Sequence, residues 1–289
     1  MKVIDKDTVK SIMPKRSADA NKYSVGSLLC VVGSRGFAGA AVMALRAAYR
    51  TGAGLVRCAL PESIYPIVSA AVPEAVFAVF PDSQSGTLPE SAAKDILALS
   101  KKCDAVLAGC GMGLCPDTES IVCSLLEYCE VPLVLDADGI NAAAKHIDVL
   151  NKREFPTVLT PHEGEMHRLT GVPSKIIREN RVECAEKFTE SVASVLVLKG
   201  KDTLVAADGN CCVNPTGNPG MAVAGSGDVL AGMLASLIAQ GVKPFEAAEA
   251  AVYLHGLAGD IAKDELTEYS MLPTDIIERI PFAIKNVLA

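Results

Sequence analysis

The feature that most constrains this chain is a series of short runs that are apolar at nearly every position. Ser27–Val32, Leu55–Leu60, Ala75–Phe80, Ala105–Ala108, Leu133–Leu135, Val158–Leu159 and Val195–Leu198 are of this kind. A strand with one wet face alternates apolar and polar residues, whereas a strand covered on both faces does not. These runs therefore read as strands of a mostly parallel α/β sheet. Helical stretches separate them: Ala40–Arg50, Glu90–Ser100, Thr118–Tyr128, Asp138–Lys145, Glu163–Leu169 and Ser174–Ser191. In the Ser174 stretch, Ile176, Ile177, Ala185 and Phe188 are expected to face inward.

The C-terminal third changes character. Thr203–Ala207 and Cys211–Val213 flank Asp208-Gly209-Asn210, a hairpin signal. Two apolar helices are expected after a Gly/Pro/Asn loop, Ser226–Ala239 and Pro244–Ala262. The first has small or apolar residues all round, as a buried helix does. No linker, repeat or low-complexity tract divides the 289 residues, so one domain over 1–289 is expected.

Half of the residues are apolar and 21% are charged, enough for a sizeable core. A net charge of −7 argues against a whole-surface grip on nucleic acid. The 4% aromatic content, without tryptophan, provides few stacking platforms. No long apolar run indicates a membrane span, and Met1–Lys15 lacks the apolar region of a signal peptide. A cytoplasmic protein is expected. Its ten cysteines, without a CxxC pair, read as reduced and buried small hydrophobes.

Five loops that follow strands carry chemistry. Ala224-Gly225-Ser226-Gly227-Asp228 opens the apolar helix. Free amides and the helix dipole there suit phosphate or a developing anion, with Asp228 in the first turn. A Gly-rich turn with Asp228 stabilising the helix start is equally open on the pattern alone. Gly33–Ala41 matches neither GxGxxG nor GxxxxGK[ST]. Thr160–Glu165 places His162 beside Glu163 and Glu165, and Leu198–Thr203 offers lysines, a threonine and backbone amides. Ala108–Gly113 is a glycine loop at another strand end. Together they point to a ligand cleft at the strand carboxyl ends.

Taken in order, these blocks resemble the ADP/ATP-dependent NAD(P)H-hydrate dehydratases. They are Pro14-Lys15-Arg16, GSRGFAGAAVMA, TGAGLV, AGCGMG, LDADGIN, LTPHEGEMHRLTG, VLKGKDT, NPTGNPGMAVAGSGDVLAGM and AVYLHG. The resemblance covers nearly the whole chain and implies a ribokinase-like fold, a central mostly parallel sheet with helices on both faces. It implies a stand-alone dehydratase without the often-fused epimerase domain. The implied reaction is lyase chemistry for metabolite repair: nucleotide-dependent dehydration of hydrated NADH or NADPH through a phosphorylated intermediate.

Position by position, the resemblance makes Asp228 the base and Gly225, Ser226 and Gly227 the anion hole. Lys199, Gly200, Lys201, Asp202, Thr203 and Gly227 would bind the nucleotide, ADP or ATP. Ala40, Gly111, His162 and Asp228 would bind the hydrated cofactor, and Glu165 would help organise Mg²⁺, directly or through water. A homo-oligomer is implied, with a tetramer among the forms open. Two departures stand out: AGSGD replaces the family's common GGTGD, and Glu163 stands where proline is frequent. The competing enzyme reading is a ribokinase-like small-molecule kinase of the hydroxyethylthiazole kinase type.

Overall fold

Strand β2 (Ser27–Val31) shows how the sheet is covered. Leu28 and Cys30 enter one apolar cluster while Leu29 and Val31 enter the other, and all four are fully buried. Successive side chains of a strand point to opposite faces, so a strand apolar throughout needs a layer on each side. The computed structural model describes residues 1–289 and supplies both layers.

Ten strands form one sheet: β1 (Lys2–Val3), β2, β3 (Leu55–Pro61), β4 (Val76–Phe80), β5 (Ala105–Ala108), β6 (Leu133–Leu135), β7 (Thr157–Leu159), β8 (Val195–Leu198), β9 (Leu204–Ala207) and β10 (Asn210–Val213). Their order is β1-β10-β9-β8-β7-β6-β5-β2-β3-β4. Every neighbouring pair is parallel except the two that involve β9. The expected mostly parallel sheet with helices on both faces is the observed one. The β9–β10 hairpin turns at Asp208 and Gly209, both at positive φ (47° and 76°), the backbone of a type I′ turn.

Helices Ala38–Thr51, Ser226–Ala239, Pro244–Leu266 and Pro273–Leu288 build the core on one face. Helices Ala93–Ser100, Pro116–Tyr128, Asp138–Ala143, Glu163–Thr170 and Arg181–Ser191 build the other. The chain order places β5 beside β2, so strands run outward in both directions from that pair. In open α/β sheets the carboxyl ends at such a reversal form a crevice.

Several expectations need correction. The Ser174–Ser191 stretch is two helices, Ser174–Glu179 and Arg181–Ser191. Asn180, at φ −133°, breaks it: its backbone and side-chain amides both donate to the Ile176 carbonyl, and its own carbonyl starts the second helix by accepting from the Cys184 amide. Ile177, Ala185 and Phe188 are buried as expected, but Ile176, in the short first helix, is 44% exposed. The Glu90 stretch begins as a short 3-10 turn before its helix, and Asp138's helix ends at Ala143. The amphipathic Pro273–Leu288 helix was not expected; Pro273 and Pro281 mask its periodicity. All ten cysteines are free, but Cys115, Cys123, Cys184 and Cys211 are only partly buried.

Candidate active site

The carboxyl ends of β8, β7, β6, β5 and β2 lie side by side, and each delivers a polar group or tight loop to one edge of the sheet. Lys199 follows β8, Thr160 follows β7, Asp136 follows β6, Cys110 lies just beyond β5 and Ser34 just beyond β2. Side chains tie neighbouring ends together. Lys199 Nζ lies 2.6 Å from Asp136 Oδ1, and the Thr160 hydroxyl donates to the same oxygen at 2.6 Å. The Cys110 thiol donates to Asp136 Oδ2 at 3.6 Å, and the Ser34 hydroxyl donates to the Gly111 carbonyl at 2.8 Å.

Glycine is required where these loops meet. Gly109 has φ 126°, and a Cβ there would lie 1.8 Å from the Asp136 carbonyl oxygen. Gly111 has φ 61° and packs against Ala40, whose Cβ would be 2.8 Å from an added methyl. This contact joins two of the residues expected to bind the hydrated cofactor.

The Ser226–Ala239 helix approaches the same edge with its amino end. Gly225, at φ 102°, is its N-cap and makes no side-chain cap. The amides of Gly227 and Asp228 have no backbone or side-chain acceptor. Two unpaired N–H groups and the positive end of the dipole therefore face the cluster. Ala224 lies outside the positive-φ region, so alanine in place of the family's glycine carries no backbone strain. A Cβ on Gly227 would lie 3.4 Å from Lys199 Nζ and 3.9 Å from Asp136 Oδ2, which places the ion pair against this first turn.

Asp228 completes the group. Cys110 Sγ and one carboxylate oxygen each of Asp136 and Asp228 lie within 4.8 Å of one another. Burial, reinforced by the negative charge of Asp136, pushes the Asp228 carboxyl up to about 6; Cys110 and Lys199 pull the other way. Asp136 is held below the ordinary carboxylate range: burial acts to raise it, but the Lys199 charge and the hydrogen bonds outweigh that. The two carboxylates are thus pushed apart, one ionised firmly and one poised to exchange a proton. Asp138 accepts from the Gly113 amide at 2.8 Å, and burial raises its carboxyl.

His162 is the N-cap of the Glu163–Thr170 helix. Its Nδ1 accepts from the amides of Gly164 and Glu165, while Glu165 Oε2 accepts from the His162 amide at 2.8 Å. With Nδ1 an acceptor, the ring proton belongs on Nε2, 3.3 Å from Glu165 Oε1. Glu165 Oε2 is also 3.7 Å from Lys199 Nζ. Both Glu165 oxygens already face donors, so this carboxylate suits a cation only through intervening water. Glu163, where the family often has proline, pairs with Arg178 at 2.8 Å and lies 3.6 Å from Arg181.

The structure therefore brings together Lys199, Gly225, Ser226, Gly227, Asp228, Glu165 and His162, with Gly111 and Ala40 alongside Cys110. Lys199 does not extend into solvent with its loop; it turns inward onto Asp136. Lys201 and Asp202 stay on the exposed turn, and the Thr203 hydroxyl closes it by donating to the Gly200 carbonyl at 2.9 Å. Asp136, Thr160 and Cys110 carry no distinctive local pattern of their own, though all three lie in the strand-end blocks LDADGIN, LTPHEGEMHRLTG and AGCGMG. For Asp136 the available signal is a polar residue directly after a wholly apolar strand.

A family model described as NAD(P)H-hydrate dehydratase matches residues 28–282. A bifunctional NAD(P)H-hydrate repair enzyme of Moorella thermoacetica is 40% identical over 279 residues, 96% of this chain and 53% of that protein. The chain spans about half the length of such bifunctional relatives. The ADP-dependent (S)-NAD(P)H-hydrate dehydratase of Bacillus subtilis is 33% identical over 276 residues, 94% of each chain. A crystal structure of the Bacillus subtilis ADP/ATP-dependent NAD(P)H-hydrate dehydratase, co-crystallised with ATP/Mg²⁺, superposes with a TM-score of 0.85. It is 29% identical and covers 99% of this chain and 98% of that one. In fold alone the chain is also similar to a hydroxyethylthiazole kinase from Pyrococcus horikoshii, at 15% identity over 97% of this chain and 94% of that one, with a TM-score of 0.63. With its ribokinase-like sheet, this chain belongs to the NAD(P)H-hydrate dehydratase family.

Proposed function

We propose that the chain dehydrates hydrated NADH or NADPH in a nucleotide-dependent reaction that restores the reduced nicotinamide ring. The observation that carries this reading is the pairing of unbonded amides at Gly227 and Asp228 with a half-buried, proton-accepting Asp228 carboxylate on the same helical turn. Such a turn can bind a transferring phosphoryl group and deprotonate the alcohol that receives it. Residues 1–289 are read as one functional unit.

The chemistry needs both functions. Hydroxide leaves a saturated ring carbon poorly, and phosphate leaves well. Asp228 takes the proton of the ring hydroxyl as its oxygen attacks the terminal phosphorus of ATP or ADP. The bond from that phosphorus to the bridging oxygen breaks, and the shortened nucleotide departs. The unbonded Gly227 and Asp228 amides and the Lys199 ammonium stabilise the charge on the equatorial oxygens during transfer, while the Ser226 amide is taken by the Val223 carbonyl. The ring nitrogen lone pair then expels phosphate, and the neighbouring ring carbon gives up a proton to restore the double bond.

Gly200 to Thr203 would hold the rest of the nucleotide at the rim. Ala40, Gly111 and His162 would hold the nicotinamide ring near Asp228. Mg²⁺ supplies charge neutralisation of the phosphates when bound with the nucleotide, and Glu165 would face it through water. No helix is long and apolar enough to cross a membrane; we place the enzyme in the cytoplasm, as a homo-oligomer.

The test is direct. Purified protein is incubated with hydrated NADH, ADP or ATP, and Mg²⁺, and the absorbance of the reduced ring is followed. Recovery with a nucleotide and none without it is expected. No recovery with either nucleotide removes the reading, and a stable phosphorylated vitamin precursor in its place reinstates the small-molecule kinase.

A further inference from the structure

A lysine on a surface loop spreads its charge over many rotamers. Lys199 does not. Its ammonium is held between Asp136 and Glu165 and lies against Gly227, on the side of the helix where the amides are free. Asp136 is itself immobile: it is 2% exposed, and Thr160 and Cys110 bond its two oxygens. The residue after it, Ala137, has φ 46° and ψ −115°, a backbone that side chains other than glycine avoid. Strain of this kind persists only where the surroundings enforce it, and here the strained turn aims Asp136 at Lys199.

Stability gives no reason for this pair. A buried ion pair loses much of its attraction to desolvation, and an apolar pair of similar size often does as well. What the pair fixes is the location of one positive charge. An ammonium carries three donors. Asp136 engages one and Glu165 lies near another, so the third is free toward the helix end.

We propose that Asp136 is a positioning residue, whose carboxylate holds the Lys199 ammonium at the amino end of the Ser226–Ala239 helix to meet the transferring phosphoryl group. The inference rests on the proposed function and adds a part to it. Asp136 touches no substrate and acts through Lys199. With the charge placed beforehand, no reorganisation is left for the transition state.

Asp136→Asn, Lys199→Met and the double variant test this in the full chain, with hydrated NADH, ATP and Mg²⁺. Asp136→Asn is expected to lower kcat about 100-fold, with KM for the hydrated cofactor changed by no more than about threefold. Lys199→Met should lower kcat at least as far, and the double variant should be no worse than Lys199→Met alone. A purely structural aspartate would instead lower thermal stability in both backgrounds and multiply its effect in the double variant. That multiplication, or a near-normal kcat in Asp136→Asn, overturns the proposal. Should Asp136→Asn fail to fold, Thr160→Val removes only one hydroxyl from Asp136 and should lower kcat about tenfold; an unchanged kcat there overturns the proposal equally. Wild-type protein without cofactor repair counts against the proposed function instead. The positioning role is then read by phosphorus NMR of bound ADP, whose terminal resonance should shift between wild type and Asp136→Asn; identical spectra overturn it.

Discussion

His255 Nε2 lies 3.3 Å from the Ser226 hydroxyl, directly behind the helix end that carries Asp228. His255 is buried, and burial pushes its imidazole down to about 4. It is neutral wherever the enzyme would work, so the helix end faces no competing cation from behind.

This has a consequence for acid stability. The unfolded chain takes a proton on His255 near pH 6.5, and the folded chain resists it until about pH 4. Stability tied to this residue is complete above pH 6.5 and is lost as pH falls toward 4, by up to about 3 kcal/mol. Urea unfolding at several pH values should show a shallower loss over that window in His255→Gln than in wild type. Equal slopes would mean that His255 is not protected from protonation.

Asp228 gives the opposite sign. Its folded carboxyl titrates at about 6, above the 3.8 of the unfolded chain, so the native state prefers it protonated. Stability is fully present below pH 3.8 and is lost as pH rises through 6. Asp228→Asn keeps the shape without the charge and should stabilise the protein by about 1–3 kcal/mol at pH 8, with no gain at pH 3.5. Melting temperatures at the two pH values check this. A destabilised variant at pH 8 would show that the carboxylate is satisfied in the folded state.

The helix carrying Asp228 crosses the Ala38–Thr51 helix at Gly232, where an added Cβ would meet the Ala44 carbonyl oxygen. Gly232→Ala should force the helices apart and cost about 1–3 kcal/mol, measured by urea unfolding. Turnover per folded molecule should fall as well, because Ala40 and Asp228 sit at the site ends of these two helices. Gly39→Ala is the control: a Cβ there meets nothing within 4 Å, and the change should be neutral.

Much of this architecture is legible in the sequence for one physical reason. Strands buried on both faces are apolar throughout, so Ala105–Ala108, Leu133–Leu135 and Val195–Leu198 are found to the residue. The Ser226–Ala239 helix is equally plain, since a helix without a polar face has to be buried. The Asp136–Lys199 pair is not legible. It depends on β6, β7 and β8 being adjacent, and strand order is a tertiary fact absent from local pattern. The same holds for Lys199, which reads as one more loop lysine until its partner is placed. The break at Asn180 is one non-helical residue between two helical stretches, too local to show in periodicity.

The central claim is that Asp228 is the base. Its most direct test is the pH dependence of kcat/KM for cofactor repair, measured beside Asp228→Asn. A base with a carboxyl near 6 should give an acid limb centred there, with activity falling about tenfold per pH unit below it, and the asparagine variant should lose turnover while still binding nucleotide. Near-normal turnover in Asp228→Asn, with the same acid limb, would contradict the account.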